Sequence, residues 1–563
     1  MRVIKSWHVM PRISSKISEE LGKYSPLSNQ LLHNRGVRTA TERERFLSKG
    51  EDLLEDPSLL PNIAPAIKRI KLALEKKESI SVFGDFDADG TTGTALLAEG
   101  LETLGANVIP YIPHRVKEGH GLSEPAIKFL NDQGVSLIIT VDCGITSFKE
   151  ISIANSLGID TIVTDHHPVV DITPDALAII NPNLPDSEYP FTGLAGVGLA
   201  FKLVQALFDN MNISWDKRLL QMAALGTITD VTPLIKENRY IVSEGIKSMN
   251  ENPITGLKEL LRMGGEYQYT VDSESISFFI GPRINAAGRL DDPMLSYRLL
   301  RSQSTSEASD LARKLDVLNL ERRDLTKNAM DIAERKMTAS NLEKHILILS
   351  DETFTPGIAG LVASRLVDNH HKPTIVISLD EETGRASARS TSGFDISSAL
   401  EECADLLISG GGHPRAAGFT IKKKNIPALE SRLFAIAERD LDKSLRPSLN
   451  IDAYITFEAL NTSNLQFLTE LEPYGEGNPK PLFTSKNVLV LDWAPIGSQG
   501  QHIRFTFKQG NEIWNGIAFN QGGNLTQENL RNNSAIDIVY SVGTNKWRGN
   551  TETRLVVEDF KVS

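Results

Sequence analysis

The sequence has few cysteines and no long apolar run. Its 563 residues include only 2 cysteines, Cys143 and Cys403, which lie far apart and in no metal-ligand spacing. This excludes a disulfide framework and a cysteine-bound zinc, and it fits a reducing compartment. No stretch approaches the roughly 18 apolar residues of a membrane span, and the opening residues do not form a signal peptide. We therefore expect a cytoplasmic protein that does not contact a membrane.

The sequence also lacks an excess of positive charge. Its 60 lysines and arginines are outnumbered by 72 acidic residues, which gives a net charge of -12. A protein that coats nucleic acid without specificity is usually basic, so any contact with nucleic acid must come from a local basic groove. The surplus of acidic residues would also suit a metal site, and the charge alone does not separate these interpretations.

The order of apolar patterns predicts an α/β protein of several domains, since roughly 150 residues make one domain. Residues 1–50 have the pattern of a small helical lead-in. From 51 to 295, short apolar runs first alternate with helical patterns, and the pattern becomes helical after residue 183. Strand–helix alternation of this kind predicts a mostly parallel sheet with helices on both faces.

Three further units are expected after this first domain. Apolar residues from Leu311 to Ile332 recur at alternating steps of 4 and 3, which predicts a long connector helix within 296–342. Another strand pattern begins near residue 345 and predicts a second α/β domain over 343–442. The strand-rich segment 443–563 predicts a small β barrel, with Phe483, Phe505 and Phe507 in its core rather than stacked on bases.

Acidic residues and histidines collect where three predicted strands end. The apolar run 81–83 leads into Asp85, Asp87 and Asp89, and the run 137–141 leads into Asp142. The run 161–163 leads into the sequence TDHH at 164–167. In α/β sheets the crevice beyond the carboxyl ends of the strands is where ligands bind. Because unpaired buried carboxylates are costly, this cluster predicts a metal site.

The candidate ligands are oxygens and imidazoles without a thiolate, which suits Mn²⁺ or Mg²⁺ better than zinc. They are Asp85, Asp87, Asp89, Asp142, His166, His167 and Asp230. Five carboxylates exceed the need of one octahedral ion, so we expect two ions about 4 Å apart that share a bridging aspartate. Neighbouring side chains of an extended segment point in opposite directions, so His166 and His167 are expected to differ in role.

Simpler explanations exist for each residue taken alone. A single aspartate after a strand is usually a helix cap or a turn residue. The loop at 85–90 could also bind calcium, but the acidic residue expected at its far end is absent, because position 96 is Leu96. Only the joint pattern at successive strand ends favours the metal site.

Glycine-rich and cap positions give weaker signals. We expect Thr91 or Thr92 to cap the helix after the acidic loop, whose amino end would favour anions. Residues 281–290 predict a loop with two guanidinium groups that could hold phosphates. Residues 193–198 follow no strand, so helix packing is favoured over a dinucleotide site. Residues 410–412, beside His413 and Arg415, are either a plain turn or a phosphate contact.

Taken together, these motifs resemble the DHH phosphoesterase family, and within it a branch of bacterial exonucleases. GDFDADG at 84–90, VDCG at 141–144, DHH at 165–167 and the segment around Asp230 look like the four metal motifs of the family, in order. Residues 281–290 resemble the arginine motif of that branch, and 411–418 resemble the signature of a DHHA1 domain. Residues 471–479 resemble a stretch near its oligonucleotide-binding (OB) fold. The resemblance covers nearly the whole chain.

The resemblance implies a fold and an activity. It implies a DHH catalytic domain, the connector helix, an α/β DHHA1 substrate-binding domain and a C-terminal OB-type barrel that binds DNA. It also implies an exonuclease that degrades single-stranded DNA from 5′ to 3′ into mononucleotides, with two Mn²⁺ or Mg²⁺ ions, in recombination and repair. Two other functions stay open: a phosphodiesterase for nano-RNA or cyclic dinucleotides, and a non-catalytic scaffold that binds DNA ends.

The resemblance also assigns roles to residues of this chain. Asp87, Asp89, Asp142, His166 and Asp230 would be ligands, with Asp142 and Asp230 bridging the ions, while Asp85 would be a ligand or support one. The catalytic residues would be His167, Arg283 and Asp165, with His167 and Arg283 in contact with the scissile phosphate. Arg115, Ser387 and Arg389 would bind a 5′ phosphate. Further substrate contacts would come from Asn285, Arg289, Gly411, Gly412 and His413.

The expected partner is single-stranded DNA with a 5′ phosphate. A helicase or a single-strand-binding protein is the expected protein partner, and the chain is expected to act as a monomer. The chain departs from the family pattern in three places. Phe354 and Thr355 stand where tryptophan and histidine usually precede the Pro-Gly pair at 356–357, Phe83 stands where some members have histidine, and His120 stands where a tyrosine is common.

Overall fold

The computed structural model describes residues 5–22, 24–169, 172–264, 270–337, 343–442, 447–522, 532–547 and 550–562. Within these ranges, no helix combines the length and the apolar character needed to cross a membrane. The predicted domain boundaries at 342 and 443 lie outside the described residues, and so do the first four residues of the chain.

The N-terminal segment packs against the C-terminal barrel. It contains the short strand β1 (Ser6–Val9) and three helices, Ser15–Leu21, Pro26–Asn34 and Ala40–Leu47. Strand β1 pairs in parallel with residues 448–451, and Trp7 Nε1 donates a hydrogen bond of 2.8 Å to Asp559 Oδ2. Leu21, Leu31 and Leu32 are fully or almost fully buried in a core shared with the barrel. The predicted helical lead-in is therefore built into the last domain of the chain.

A five-stranded parallel sheet carries the candidate site. Its strands are β2 (Ser79–Gly84), β3 (Asn107–Tyr111), β4 (Val135–Val141), β5 (Asp160–Thr164) and β6 (Ala178–Ile180), in the order β3-β2-β4-β5-β6. The central strands are buried on both faces, as expected of a parallel sheet covered by helices. Because the strands run the same way, the segments that follow β2, β4 and β5 reach the same edge of the sheet.

The helices around this sheet are Ile63–Lys76, Ala88–Thr103, Glu124–Asp132, Phe148–Ser156, Gly196–Asn210, Leu219–Thr229, Lys236–Glu251 and Thr255–Arg262. The predicted cap of the second helix is wrong. Asp87 is its N-cap and accepts hydrogen bonds from the backbone N–H groups of Asp89 and Gly90. Thr91 and Thr92 lie inside the helix, because a carboxylate placed one turn earlier satisfies the free amides first.

Residues 281–290 are a helix, Gly281–Leu290, and the prediction of a loop is wrong. We call this segment the arginine helix; the short helix Ser273–Ser275 and a π-helical turn, Ile276–Ile280, precede it, and Met294–Arg301 follows it. Its glycines serve close packing, since a Cβ at Gly288 would lie 2.0 Å from the carbonyl oxygen of Phe86. Buried Ile284 and Ala287 sit on its inner face at helical spacing. The glycines of this segment therefore indicate close packing of a helix rather than a turn.

The predicted connector helix is present as Thr305–Lys336, with Leu311, Leu315, Leu318 and Ala329 buried along its seam. The second α/β domain contains β7 (Leu347–Asp351), β8 (Thr374–Leu379), β9 (Thr383–Arg389), β10 (Leu407–His413) and β11 (Ala416–Lys422), in the order β10-β11-β9-β8-β7. Its helices are Pro356–His370, Ile396–Glu401 and Ile426–Asp440. Residues 410–412 lie inside β10, so the plain turn considered for them is wrong.

The C-terminal domain is a closed barrel. Strands β12 (Ser448–Ile451) and β13 (Ala453–Tyr454) and the helix Thr462–Leu471 come first. The barrel strands are β14 (Phe483–Ile496), β15 (His502–Gln509), β16 (Glu512–Ala518), β17 (Ala535–Trp547) and β18 (Asn550–Val562), and pairing of β14 with β17 closes the ring. Phe483, Phe505 and Phe507 are fully buried inside it, which confirms their predicted place in the core.

Candidate metal centre

The acidic and histidine side chains meet in one cluster at the carboxyl edge of the first sheet. Three groups have ligand atoms within 4.8 Å of one another: Asp142, His166 and His167; Asp89, His166 and Asp230; and Asp85, Asp87 and Asp142. We call these seven residues the metal cluster. Asp142 and His166 each belong to two groups, so the cluster is continuous and large enough for two ions.

His166 is the closest link between the groups. Its Nε2 lies 3.1 Å from Asp142 Oδ1, 3.7 Å from Asp230 Oδ2 and 4.0 Å from Asp89 Oδ2. Burial lowers the pKa of His166 to about 4, so the imidazole is neutral at neutral pH. A neutral imidazole is the form that binds a metal.

Backbone strain marks two of the ligand segments. Asp142 has a φ of 63°, and Val231, next to Asp230, has a φ of 59°. Aspartate tolerates the left-handed region, but a β-branched valine rarely adopts it. Strain of this kind persists where the surrounding structure holds it for a functional purpose. In these two segments, the strained backbone places the carboxylates of Asp142 and Asp230 in the metal cluster.

Asp89 is held by the start of the helix Gly196–Asn210. The backbone N–H groups of Gly196 and Val197 donate hydrogen bonds of 2.6 and 2.9 Å to its two carboxylate oxygens. A Cβ at residue 196 would stand 2.5 Å from Asp142 Cβ and 2.9 Å from Asp89 Oδ2. Glycine is required here so that the helix can approach both carboxylates.

The carboxylates of the metal cluster resist ionisation without a cation. Burial, together with the charge of Asp87, raises the pKa of Asp89 to about 7. Burial and the charge of Asp89 raise the pKa of Asp230 to about 9 and that of Asp142 well above its usual value. Among the described residues, no lysine or arginine lies within 4.0 Å of these three carboxylates, and their neighbour His166 is neutral. An oxygen-rich set of this kind fits Mn²⁺ or Mg²⁺.

Asp165 orients His167. Its Oδ1 lies 2.7 Å from His167 Nδ1, and its Oδ2 accepts a hydrogen bond from the backbone N–H of Ile145. Burial lowers the pKa of His167, but the hydrogen bond to Asp165 outweighs it and raises the pKa overall. The His167 ring also stacks parallel to the ring of His413, with centroids 6.3 Å apart, which brings the second domain to the metal cluster.

His120 is a site residue that the sequence analysis missed. Its Nδ1 lies 2.9 Å from Asp85 Oδ1, and its ring meets the ring of His167 edge-on at 6.0 Å. The hydrogen bond to Asp85 raises the pKa of His120 to about 9. It lies in a loop between a strand and a helix with no periodic spacing to the ligands, so only its departure from the family pattern could have drawn attention to it.

Three arginines and a serine lie beside the metal cluster, in what we call the phosphate pocket: Arg115, Arg289, Ser387 and Arg389. The Arg115 guanidinium lies over the Phe86 ring at 3.8 Å. A Cβ at Gly360 would lie 3.0 Å from Arg389 Nη2 and 3.6 Å from Ser387 Oγ. Arg289 Nη1 donates to the carbonyl of Gly357 at 3.3 Å. Within the described part of the chain, none of these guanidinium groups forms an ion pair, so the pocket suits an anion.

The remaining predicted residues lie in different places. Arg283 pairs with Asp316 of the connector helix at 2.8 Å and stacks on Phe279, so its guanidinium group is engaged by these residues in this structure. Asn285 accepts a hydrogen bond from the backbone N–H of Ala88 and thereby fixes the start of that helix. Gly411 and Gly412 are exposed on strand β10. Their predicted contacts with a substrate stay predictions.

Comparison with known proteins gives consistent results along the chain. Three family models match: the N-terminal domain of the DHH family at residues 79–227, the DHHA1 domain at 343–439 and the RecJ OB domain at 451–559. The single-stranded-DNA-specific exonuclease RecJ of Bacillus subtilis is 37% identical over 542 residues, which cover 96% of this chain and 68% of that protein. RecJ of Escherichia coli is 32% identical, with 95% of both chains covered.

Solved structures agree with these matches. RecJ from Thermus thermophilus in complex with Mn²⁺ matches with a TM-score of 0.84 and 29% identity, and the match covers 99% of this chain and 80% of that one. The same protein in complex with Mg²⁺ matches with a TM-score of 0.78. These matches confirm the predicted fold class: a mostly parallel DHH domain, a connector, an α/β DHHA1 domain and an OB-type barrel.

Proposed function

The chain belongs to the RecJ family of single-stranded-DNA-specific exonucleases within the DHH phosphoesterases, and we propose that it removes mononucleotides from the 5′ end of its substrate. It is a metal-dependent exonuclease that acts on single-stranded DNA, with a role in recombination and repair that fits the family. The proposed 5′-to-3′ direction of degradation rests on the phosphate pocket. Its guanidinium groups, which form no ion pair within the described residues, lie beside the metal cluster.

The metal cluster would hold two ions of Mn²⁺ or Mg²⁺. The residues that would hold these ions are Asp85, Asp87, Asp89, Asp142, His166 and Asp230. Bound divalent ions supply Lewis acidity, which eases deprotonation of the attacking water and offsets negative charge on the phosphate. The backbone amides of Gly196 and Val197 keep Asp89 pointed into the cluster.

His167 would donate a hydrogen bond to the phosphodiester that is cleaved. Its Nδ1 is engaged by Asp165, so Nε2 is the nitrogen left to face a substrate. The same contact favours the protonated imidazole, which suits a group that stabilises charge on a phosphate oxygen. Arg283 would join it only after release from Asp316, so its proposed contact with the scissile phosphate requires a rotation of the side chain.

The phosphate pocket would select the strand end. A 5′ phosphate carries more charge than an internal phosphodiester, and guanidinium groups bind such a group through paired hydrogen bonds. With Arg115, Ser387 and Arg389 on that phosphate, the first phosphodiester would face the metal cluster and cleavage would release one nucleotide. His413, Gly411 and Gly412 would contact the strand from the second domain.

A single assay tests this proposal. The substrate is a single-stranded oligonucleotide with a 3′ fluorophore, carrying either a 5′ phosphate or a 5′ hydroxyl, digested by the full chain with Mn²⁺ or Mg²⁺. We expect stepwise shortening from the 5′ end, release of mononucleotides, a preference for the 5′ phosphate and no attack on a blunt duplex. Shortening from the 3′ end, or cleavage of dinucleotides alone, would overturn the proposal.

We propose that the chain acts as a monomer in the cytoplasm, which the cysteine content supports. A helicase or a single-strand-binding protein would supply the single-stranded substrate, because the family acts on single-stranded DNA.

A further inference from the structure

A second group of arginines lies behind the phosphate pocket. It is formed where three helices meet: the arginine helix, the connector helix and the helix Pro356–His370, which we call the pocket helix. Arg322 comes from the connector helix and Arg365 from the pocket helix, and together with Arg289 they form what we call the arginine track. Arg322 is half-buried and Arg365 is exposed.

Among the described residues, no acidic side chain forms an ion pair with the guanidinium groups of the track. Arg289 Nε and Arg322 Nε are buried and have no hydrogen-bond partner within the described ranges. Three other cations on or beside these helices are paired: Arg313 with Asp310, Lys314 with Asp291 and Arg283 with Asp316. Because an unsatisfied buried donor is costly, these unpaired donors indicate a place for an anion.

The track has a direction. Burial lowers the pKa of Arg289 to about 9, with further contributions from the charges of Arg115 and Arg322. Burial and the charges of Arg365, Arg323 and Arg283 lower the pKa of Arg322, with no acidic contribution. Arg289 belongs to the phosphate pocket, and the connector helix that carries Arg322 packs against both the arginine helix and the pocket helix. Because Arg322 is half-buried and Arg365 is exposed, these arginines continue from the phosphate pocket toward solvent.

The chemistry of the ligand follows from this position. In the proposed function, Arg115, Ser387 and Arg389 hold the terminal phosphate of the strand, so the DNA chain itself ends at the phosphate pocket. A group that moves further along the track must therefore be detached from the strand. A nucleoside 5′-monophosphate carries a doubly charged phosphate, which paired guanidinium groups bind well.

We propose that the arginine track, and Arg322 above all, binds the phosphate of the nucleoside 5′-monophosphate product on its way out of the site. This inference rests on the proposed function, because it takes the released mononucleotide as the ligand. The phosphate is bound first by Arg289 and then by Arg322. The exposed Arg365 is the last arginine that it contacts before it reaches solvent.

The test measures inhibition by added 5′-dTMP during digestion of a 5′-phosphorylated oligonucleotide. The full chain with Mn²⁺ is compared with Arg322→Gln and Arg365→Gln. Arg313→Gln, which removes a paired arginine from the same connector helix, is the matched control. We expect the inhibition constant for 5′-dTMP to rise at least about fivefold in Arg322→Gln, and less in Arg365→Gln, because charge-assisted hydrogen bonds are lost. The KM for the oligonucleotide should change by less than about twofold in both, because neither residue lies in the phosphate pocket.

Two further arms separate the possible outcomes. Equilibrium dialysis of labelled 5′-dTMP against the enzyme without metal measures binding to the phosphate pocket and the track together. The difference between the unaltered protein and Arg322→Gln then gives the contribution of the track, even if no nuclease activity is found. Arg389→Gln should raise both the KM for the oligonucleotide and the inhibition constant. An unchanged inhibition constant and unchanged dialysis in Arg322→Gln would overturn the track but leave the proposed function intact. Absence of 5′-end cleavage in the unaltered protein would overturn the proposed function instead. Because Arg365 is exposed, Arg365→Gln keeps the test valid if Arg322→Gln fails to fold.

Discussion

Gly196 lies so close to Asp142 that a Cβ at residue 196 would stand 2.5 Å from the Cβ of the aspartate. The same Cβ would lie 2.9 Å from Asp89 Oδ2, which accepts a hydrogen bond from the Gly196 backbone. One backbone position therefore fixes two proposed ligands from two different strand ends. The metal cluster depends on this close approach of a helix to the sheet edge.

Gly196→Ala is expected to lower Mn²⁺ affinity and nuclease activity by about 10- to 100-fold, because displaced ligands bind metal less well. Titration of Mn²⁺ against activity and thermal melting measures both effects. Gly198→Ala is the matched control, since its Cβ would meet only the flexible Leu194 side chain, at 3.2 Å. If Mn²⁺ affinity and nuclease activity fell equally in the two variants, the loss would come from a general disturbance of the helix and not from the displaced ligands.

Asp142→Ala is expected to abolish nuclease activity while the fold is retained. Asp142 belongs to two of the three ligand groups, and its charge opposes those of Asp89 and Asp87 when no metal is bound. We therefore expect the variant, free of metal, to melt at the same temperature as the unaltered protein or higher. Added Mn²⁺ should stabilise only the unaltered protein. Substantial turnover by the variant would contradict the ligand assignment.

Without metal, the protein is expected to lose stability as the pH rises from about 5 to about 10. The pKa of Asp89 is raised to about 7 and that of Asp230 to about 9, well above the values in the unfolded chain. Over this window the folded state binds more protons than the unfolded state, so deprotonation favours unfolding. Thermal melting in the presence of a chelator measures the slope.

Two comparisons check the origin of this pH dependence. Asp230→Asn should flatten the slope, because one of the shifted carboxyl groups is gone. Added Mg²⁺ should flatten it in the unaltered protein, because the cation favours the charged form. A slope that neither change alters would have to come from other groups.

Arg389→Gln is expected to remove the preference for a 5′ phosphate. The KM for the 5′-phosphorylated oligonucleotide should rise about tenfold or more, as expected when a charge-assisted contact is lost, while the KM for the 5′-hydroxyl form stays nearly constant. Arg385→Gln on the same strand is the control, because Arg385 is exposed and donates to the backbone of Val116. A similar rise for both oligonucleotides would argue against a contact with the terminal phosphate.

Leu32→Ala is expected to destabilise the C-terminal barrel. Leu32 is fully buried in the core that the N-terminal helices share with the barrel. Truncation of a buried leucine costs about 2–5 kcal/mol in the free energy of unfolding. Denaturant unfolding measures the loss, and Leu72→Ala is the control, because Leu72 is 39% exposed. Equal stability of the two variants would mean that the N-terminal helices contribute little to this core.

The sequence alone predicted those features that depend on local pattern. Apolar runs predicted the strands of the parallel sheet, and steps of 4 and 3 predicted the connector helix. The acidic residues after β2, β4 and β5 could be grouped in advance, because parallel strands bring their carboxyl ends to one edge. The strand-rich pattern of 443–563 likewise predicted a barrel with phenylalanines in its core.

Only the tertiary structure decided the features that join distant segments. The N-terminal helices pack on the last domain, Arg283 pairs with Asp316, and Arg322 joins the arginine track, although no local pattern links these residues. Residues 281–290 form a helix in which Gly288 packs against the Phe86 backbone, and a count of glycines cannot distinguish close packing from a turn. The periodicity of apolar residues indicates the environment of one segment. Contact between segments depends on how the whole chain buries its apolar faces and places its charges.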